Sequence, residues 1–298
     1  MYYSIITMPE GVEIRIQVNN LKPICVGSKI VEIKWNKSFQ KNGIKNFKIV
    51  KLPLIVTDVW SRGKVIVFQT VDTTNKILYI TSQLGMSGHW VRSPQKHSNL
   101  WFRFGVPHTE RPGFWKITHT IWYNDQRHFG GIGFYRDLTE IWKRHGPCLM
   151  TTVLVNKGLL KADKLNTYQK LVSLKYYISQ IRNKRFRSKR IAEFMMEQQR
   201  VSGVGNYLRA EILYQARISP FRLLTDLSDQ DIKNLYEASL DIMYRSYASK
   251  CGYHVGKDCG SGFKKLVYKK DKDPNGYDVC TTADKNKRMC YYVAEIQK

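Results

Sequence analysis

No run of about 20 apolar residues occurs anywhere in the 298 residues, so the sequence offers no membrane-spanning helix. Paired cysteine motifs are missing as well. Cys25, Cys148, Cys251, Cys259, Cys280 and Cys290 are scattered, and none forms a C-x-x-C pair. That spacing argues against a zinc knuckle and against a disulfide framework. In a chain of this size the cysteines read as reduced thiols of an intracellular protein. Residues 1–7 are too short and too poor in charge for a signal peptide. Acidic side chains are scarce: 24 Asp and Glu face 49 Lys and Arg, a formal charge of +25. A polyanion relieves self-repulsion at that charge, which makes nucleic acid the expected partner. The plainer alternative is a basic surface kept for solubility. An anionic membrane fits less well, because no basic amphipathic helix stands out.

What is present is an ample core, with 43% apolar residues, and a change of character along the chain. Runs rich in β-branched and aromatic residues recur at 29–35, 54–60, 65–70, 77–82, 100–104 and 115–123, separated by Gly, Pro, Asn and Asp clusters. No regular helix alternates with them, so an antiparallel sandwich or barrel is expected. Residues 9–21 are ambiguous. Val12, Ile14, Ile16 and Val18 alternate as in a strand, while Ile14, Val18 and Leu21 also share a helix face; the alternation favours a strand. After His145-Gly146-Pro147 the sequence reads as helical from about 167 to 250. Ser228-Asp229-Gln230-Asp231 resembles a capping box ahead of the apolar face Ile232, Leu235, Tyr236, Ile242 and Met243. Residues 252–262 are Gly-rich and read as a loop. The tail from Lys264 is strand-like, with a turn at Asp273-Pro274-Asn275-Gly276. The expected organisation is α+β and multidomain: an N-terminal catalytic β-sandwich domain at 9–145, a linker at 146–166, a helical DNA-binding domain at 167–263, and a β-hairpin tail at 264–298.

Five segments carry chemistry. Met8-Pro9-Glu10-Gly11-Val12-Glu13 is the first. Ser61-Arg62-Gly63-Lys64 puts a lysine after a Gly turn. Gln83-Leu84-Gly85-Met86-Ser87-Gly88 and Asn124-Asp125-Gln126-Arg127-His128-Phe129-Gly130 form a glycine-punctuated pair. Gln199–Leu213 holds a helix end, a turn with Gly203 and Gly205, and a second helix opening at Asn206. Lys285-Asn286-Lys287-Arg288 is a basic turn in the tail. Taken singly, each has an ordinary reading: a solvated lysine at Lys64, core residues at Met86 and Phe129, a helix C-cap at Gly203.

In this order the five segments resemble the formamidopyrimidine-DNA glycosylase and endonuclease VIII family, and the resemblance runs from Met8 to Gln297. It implies a bifunctional DNA glycosylase and abasic-site lyase of base excision repair. In that family proline follows the initiator Met, and its freed secondary amine attacks C1′ of the damaged nucleotide to form a Schiff base, a form of covalent catalysis. The resemblance thus makes Pro9 the nucleophile, Glu10 the general acid and base, and Lys64 a second general acid that donates to the lesion or its phosphate and, with Arg288, positions the phosphate for β- and δ-elimination. Met86, Arg127 and Phe129 would fill the gap left by the flipped nucleotide. His128 stands where a second Arg is common, so its contact with DNA would be weaker or pH-dependent. Asn206 and exposed amides of the helix–two-turns–helix motif would grip a phosphate. Arg182, Lys184, Arg185, Arg187, Lys189 and Arg190 would add charge for the backbone.

The tail resembles the zincless finger of the eukaryotic and viral endonuclease VIII-like branch. Cys280 and Cys290 alone supply too few ligands for zinc, and a set drawn from Cys251, His254 and Cys259 is irregularly spaced. No metal or organic cofactor is expected. The expected partner is double-stranded DNA with oxidised bases or abasic sites, bound by a monomer, in an intracellular compartment with access to DNA such as a nucleus or a viral replication site. Oxidised pyrimidines and hydantoins fit the zincless branch, and oxidised purines fit the Met86, Arg127 and Phe129 set. One departure matters. Residues precede Met8, and a proline inside a chain is a tertiary amide without nucleophilicity. Translation from Met8 or trimming of the leader would free it; otherwise the chain is a non-catalytic binder of damaged DNA.

Overall fold

The computed structural model describes residues 9–37, 39, 43–251 and 263–298. The described residues form two compact units, one of Pro9 with those in the range 13–141 and one of 10–12 with those in the range 142–298. Among the described residues no helix is long and apolar enough to cross a membrane.

The first unit opens with helix α1 (Gly11–Cys25), whose first residues belong to the other unit. The strand expected at 9–21 is therefore corrected to a helix. Ile14, Val18, Leu21 and Cys25, spaced for one helix face, are all buried, whereas Ile16, which a strand would align with them, is only half-buried. Nine strands follow: β1 (Lys29–Trp35), β2 (Ile44–Lys45), β3 (Leu54–Arg62), β4 (Val65–Val71), β5 (Ile77–Gln83), β6 (His89–Val91), β7 (Ser98–Pro107), β8 (Trp115–Asn124) and β9 (Gly131–Tyr135). They make one sheet in the order β2-β9-β5-β4-β3-β1-β7-β8-β6, antiparallel except for the β2–β9 pair.

The aromatic core shows how that sheet bends. Phe68 of β4 lies 5.7 Å from Phe102 of β7 and 5.4 Å from Trp90 of β6, three and five strand positions away. At about 4.8 Å per strand, a flat sheet would separate them by roughly 14 and 24 Å. The sheet therefore curls until its two halves face each other across a shared core, with the buried stripe of α1 packed into it.

The second unit is helical: α2 (Leu149–Asn156), α3 (Leu174–Ile181), α4 (Ile191–Met195), α5 (Asn206–Gln215) and the long α6 (Asp229–Cys251), against which α2, α3 and α5 pack. The stretch 146–166, expected as a linker, holds α2, whose residues 149–154 are all buried. At the start of α6 the capping box is reciprocal. The Asp231 amide donates to Ser228 Oγ at 3.0 Å, and the Ser228 amide donates to Asp231 Oδ2 at 2.9 Å. The tail is mostly turns until the hairpin of β10 (Cys280–Ala283) and β11 (Met289–Tyr292). Its expected turn is present: Asp273 Oδ1 accepts from the amides of Asn275 and Tyr277 at 2.9 and 2.8 Å.

Candidate functional site

In the second unit the site is organised around α5. The N-terminus of a helix presents amides with no partner inside the helix and a partial positive charge. Here one side chain answers them. Glu10, 1% exposed, accepts from the amides of Gly205 at 2.8 Å, Tyr207 at 2.9 Å and Leu208 at 3.2 Å. Gly205 is extended, at φ −128°, so its backbone would suit any residue. A Cβ there, however, would overlap the Glu10 carboxylate, which is the physical reason for glycine at this point of the motif. The turn before α5 is held from two sides. The Gly11 amide donates to the Gly203 carbonyl at 2.8 Å, and Gln198 accepts from the Gly203 amide at 2.9 Å while donating to the Val204 carbonyl at 2.8 Å.

This geometry corrects one expectation. The amides of Gly203, Gly205, Tyr207 and Leu208 are not exposed donors waiting for a phosphate, because Gln198 and Glu10 accept from them. The Asn206 side chain is half-buried: its Nδ2 donates one hydrogen to the Met289 carbonyl at 3.1 Å, and its Oδ1 accepts from Arg209 at 2.6 Å. Pro9, the residue before Glu10, is buried.

Two further anchors sit on the same helix. Arg209 is 1% exposed and pairs with Asp284 at 2.7 Å. Burial pushes the Asp284 carboxyl up, but the Arg209 guanidinium and the amides of Arg288 and Asn286 outweigh it and hold the group below its usual value. Asp284 opens the tail turn, with Arg288 exposed at its end. Glu211, fully buried, accepts from the amides of Leu266, Val267 and Tyr268 at 2.8, 3.1 and 2.8 Å, fixing the chain as it enters the tail. Among the basic residues named for the DNA backbone, Arg182 pairs with Asp229 at 2.7 Å and Lys189 with Glu197, while Lys184, Arg185 and Arg187 are exposed.

In the first unit, Lys64 is half-buried at the tip of the β3–β4 hairpin, next to Gly63 at φ 57°. The two glycine-punctuated segments form adjoining loops at one end of the sheet, joined by Asp125. Its fully buried carboxylate accepts from Ser87 Oγ at 2.7 Å, from the Arg127 amide at 3.2 Å and from the Gly130 amide at 2.8 Å. The Tyr123 hydroxyl donates to the Gln83 carbonyl at 3.0 Å, and a Cβ at Gly130 would collide with that hydroxyl. Gly85 takes the left-handed φ of 60° and lies flat against the Phe129 backbone. The result brings three predicted residues together: Met86 is 38% and Phe129 65% exposed, and Arg127 reaches the Met86 sulfur at 3.8 Å. His128 is exposed and left-handed, at φ 54°.

Sequence reasoning missed Arg209, Asp284, Asp125 and Glu211. Two of them left a trace. Arg209 follows Asn206 by three residues, which places both on one helix face. Asp284 stands where a turn takes an aspartate. Among the described residues no group of three His, Cys, Asp or Glu side chains is placed to hold a metal ion. His254, Cys259 and the Cys251 side chain lie outside the described residues, as do Met8 and the expected loop at 252–262.

Three family models match the chain. The formamidopyrimidine-DNA glycosylase N-terminal domain matches residues 8–132, the H2TH domain of the same family residues 168–254, and its C-terminal domain residues 257–298. An Endonuclease 8 from Escherichia coli is 24% identical over 282 residues, covering 90% of each chain. A formamidopyrimidine-DNA glycosylase of Rickettsia africae is 26% identical over 269 residues, covering 88% of this chain and 85% of its own. Among solved structures, the Thermus thermophilus MutM (Fpg) protein superposes with a TM-score of 0.72 at 18% identity, covering 97% of this chain and 98% of its own. The Lactococcus lactis formamidopyrimidine-DNA glycosylase bound non-covalently to DNA containing an abasic site superposes with a TM-score of 0.70 at 21% identity, covering 97% and 99%.

Proposed function

The chain belongs to the formamidopyrimidine-DNA glycosylase family, and from that premise we propose that it is a DNA glycosylase of base excision repair that also cuts the strand, with the ring nitrogen of Pro9 as its nucleophile. The observation that carries this reading is the fixing of Glu10. A carboxylate held by three amides of one helix gives its covalent neighbour, Pro9, a defined place. Every protein–DNA step starts from charge, and +25 supplies it.

The Pro9 amine, unacylated, adds to C1′ as the bond to the damaged base breaks. The base leaves with the electron pair of the broken bond, Glu10 takes the proton shed by the Pro9 nitrogen and passes it to the sugar ring oxygen, the ring opens, and the freed nitrogen lone pair completes an iminium. The iminium acidifies C2′–H. Loss of that proton expels the 3′ phosphate, a second elimination expels the 5′ phosphate, and water hydrolyses the remaining Schiff base, releasing the sugar remnant as an aldehyde, restoring the Pro9 amine and leaving a one-nucleotide gap. Lys64 and Arg288 hold the phosphates through both eliminations, and Asn206 contacts a further one. Met86, Arg127 and Phe129 occupy the space left in the duplex by the flipped nucleotide, and His128 adds a contact beside them. The hairpin tail serves as a finger without zinc, and the protein acts as a monomer.

The test is a set of single-lesion duplexes assayed with two proteins, one headed by Pro9 and one retaining residues 1–8. Base release and strand cutting by the first alone support the reading. Equal cutting by both removes Pro9 from the mechanism. A second reading, a binder of damaged DNA that does not cut, rests on the amide that joins Met8 to Pro9 in the full sequence. It predicts tight binding and no cutting by either protein.

A further inference from the structure

The four guanidinium contacts of Arg209 are all internal. One terminal nitrogen donates to the Ala192 carbonyl at 3.2 Å and to Asp284 Oδ2 at 2.7 Å. The other donates to Asn206 Oδ1 at 2.6 Å and to the Met289 carbonyl at 3.1 Å. Asp284 uses its remaining oxygen on the hairpin tip, where Oδ1 accepts from the amides of Asn286 at 2.8 Å and Arg288 at 2.9 Å. The Asp284 amide donates to the Arg288 carbonyl at 2.9 Å, so both polar groups of the Arg288 backbone are tied to one residue. Lys287, between them, is left-handed at φ 60°.

A buried ion pair is a weak way to stabilise a fold, because desolvation of both charges offsets their attraction. Its geometric effect is the stronger one: a planar fork fixes several acceptors at once. Here the fork joins the first turn of α5 to the tip of the β10–β11 hairpin. We propose that Arg209 and Asp284 are positioning residues that hold Asn206 and Arg288 as one rigid phosphate-binding pair. The inference rests on the reading of those two residues as phosphate contacts. Arg209 itself touches no DNA. Its effect on binding passes through the backbone of Arg288 and the amide of Asn206.

The experiment is a double-mutant cycle on the full chain. Binding to a duplex carrying the uncleavable abasic analogue tetrahydrofuran is measured at several salt concentrations, below each variant's melting transition. Asp284→Asn keeps an oxygen for the two tip amides and removes the ion pair. It is expected to weaken binding about tenfold and to flatten the slope of log Kd against log salt by about 1, as does loss of one phosphate contact. In an Arg288→Ala background the same change should add less than twofold. Arg209→Lys, which keeps the charge and loses the fork to both residues, should add less than twofold only when Asn206 and Arg288 are both alanine, and provides the cycle if Asp284→Asn does not fold. Equal weakening in both backgrounds, or an unchanged salt slope, means the pair acts on the fold at large and overturns the inference. Wild-type binding by Arg288→Ala would refute the phosphate role of Arg288, and the inference with it. Weak binding by Arg288→Ala with wild-type binding by Asp284→Asn overturns the inference alone.

Discussion

Replacing Gly205 with alanine isolates the contact that fixes Glu10. The backbone at Gly205 is extended, so alanine introduces no backbone strain; the added methyl simply occupies the space of the Glu10 carboxylate. A neighbour that could swing away would make the change cheap. Glu10 is 1% exposed and held by three amides, so withdrawal breaks bonds that nothing else replaces at a buried helix end. Hydrogen bonds to a charged group contribute roughly 1.5–3 kcal/mol each, so losing one or two of the three destabilises by about 3 kcal/mol. For a unit of this size that lowers the melting temperature by roughly 6–12 °C. Calorimetry on wild type, Gly205→Ala, Glu10→Ala and the double variant provides the assay. The collision has no partner once Glu10 is shortened, so Gly205→Ala in the Glu10→Ala background is expected to change stability by less than about 1 kcal/mol. If the two losses instead add in full, the methyl and the carboxylate do not compete for one space and the reasoning fails.

Gly130→Ala should destabilise the first unit by about 1–3 kcal/mol through its collision with the Tyr123 hydroxyl, and Tyr123→Phe should recover part of that loss in a thermal melt. Alanine at Phe129, Met86 or Arg127 should leave the melting temperature within about 2 °C of wild type, because these side chains are exposed. Excision from duplex DNA should fall at least about tenfold, as expected when a few kcal/mol of lost stacking go uncompensated, while cutting at an abasic site in single-stranded DNA should be unaffected. Acid should unfold the second unit. Burial raises the Asp284 and Asp231 carboxyls, but Arg209 with the tip amides, and Ser228 with Arg222, hold both below their usual value. A depressed carboxyl contributes stability above its unfolded pKa and loses it as pH falls through the folded one, so melting temperature should hold from pH 7 to 5 and drop below about pH 4. A flat profile down to pH 3 would contradict those pairings.

Strands were legible in the sequence because their signal is local. In β3, β4 and β5 the β-branched and aromatic residues mark the element, and turn residues mark its ends. β9 carries no strand signal, because its Gly-Ile-Gly-Phe-Tyr sequence holds two glycines that read as a turn. The apolar residues of α1 satisfy two periods at once, and only burial against the sheet separates them. In the site, the segments were visible and their partners were not. Glu10 meets the α5 amides across 195 to 198 residues, and Arg209 meets Asp284 across 75. Pairings at that range leave only indirect marks, such as a glycine that makes room at position 205 or an aspartate that opens a turn at 284. The exposed amides expected near Gly203 illustrate the limit: the sequence displays the donors, and only the fold brings Glu10 and Gln198 to accept from them.

The nucleophile is open to direct identification. Borohydride reduction of the Pro9-headed protein on abasic DNA converts the iminium to a stable amine, and digestion followed by mass spectrometry locates the sugar remnant on one residue. The remnant is expected on the ring nitrogen of Pro9. A remnant on a lysine side chain, or trapping of equal yield by protein whose Pro9 is still joined to Met8, would contradict it.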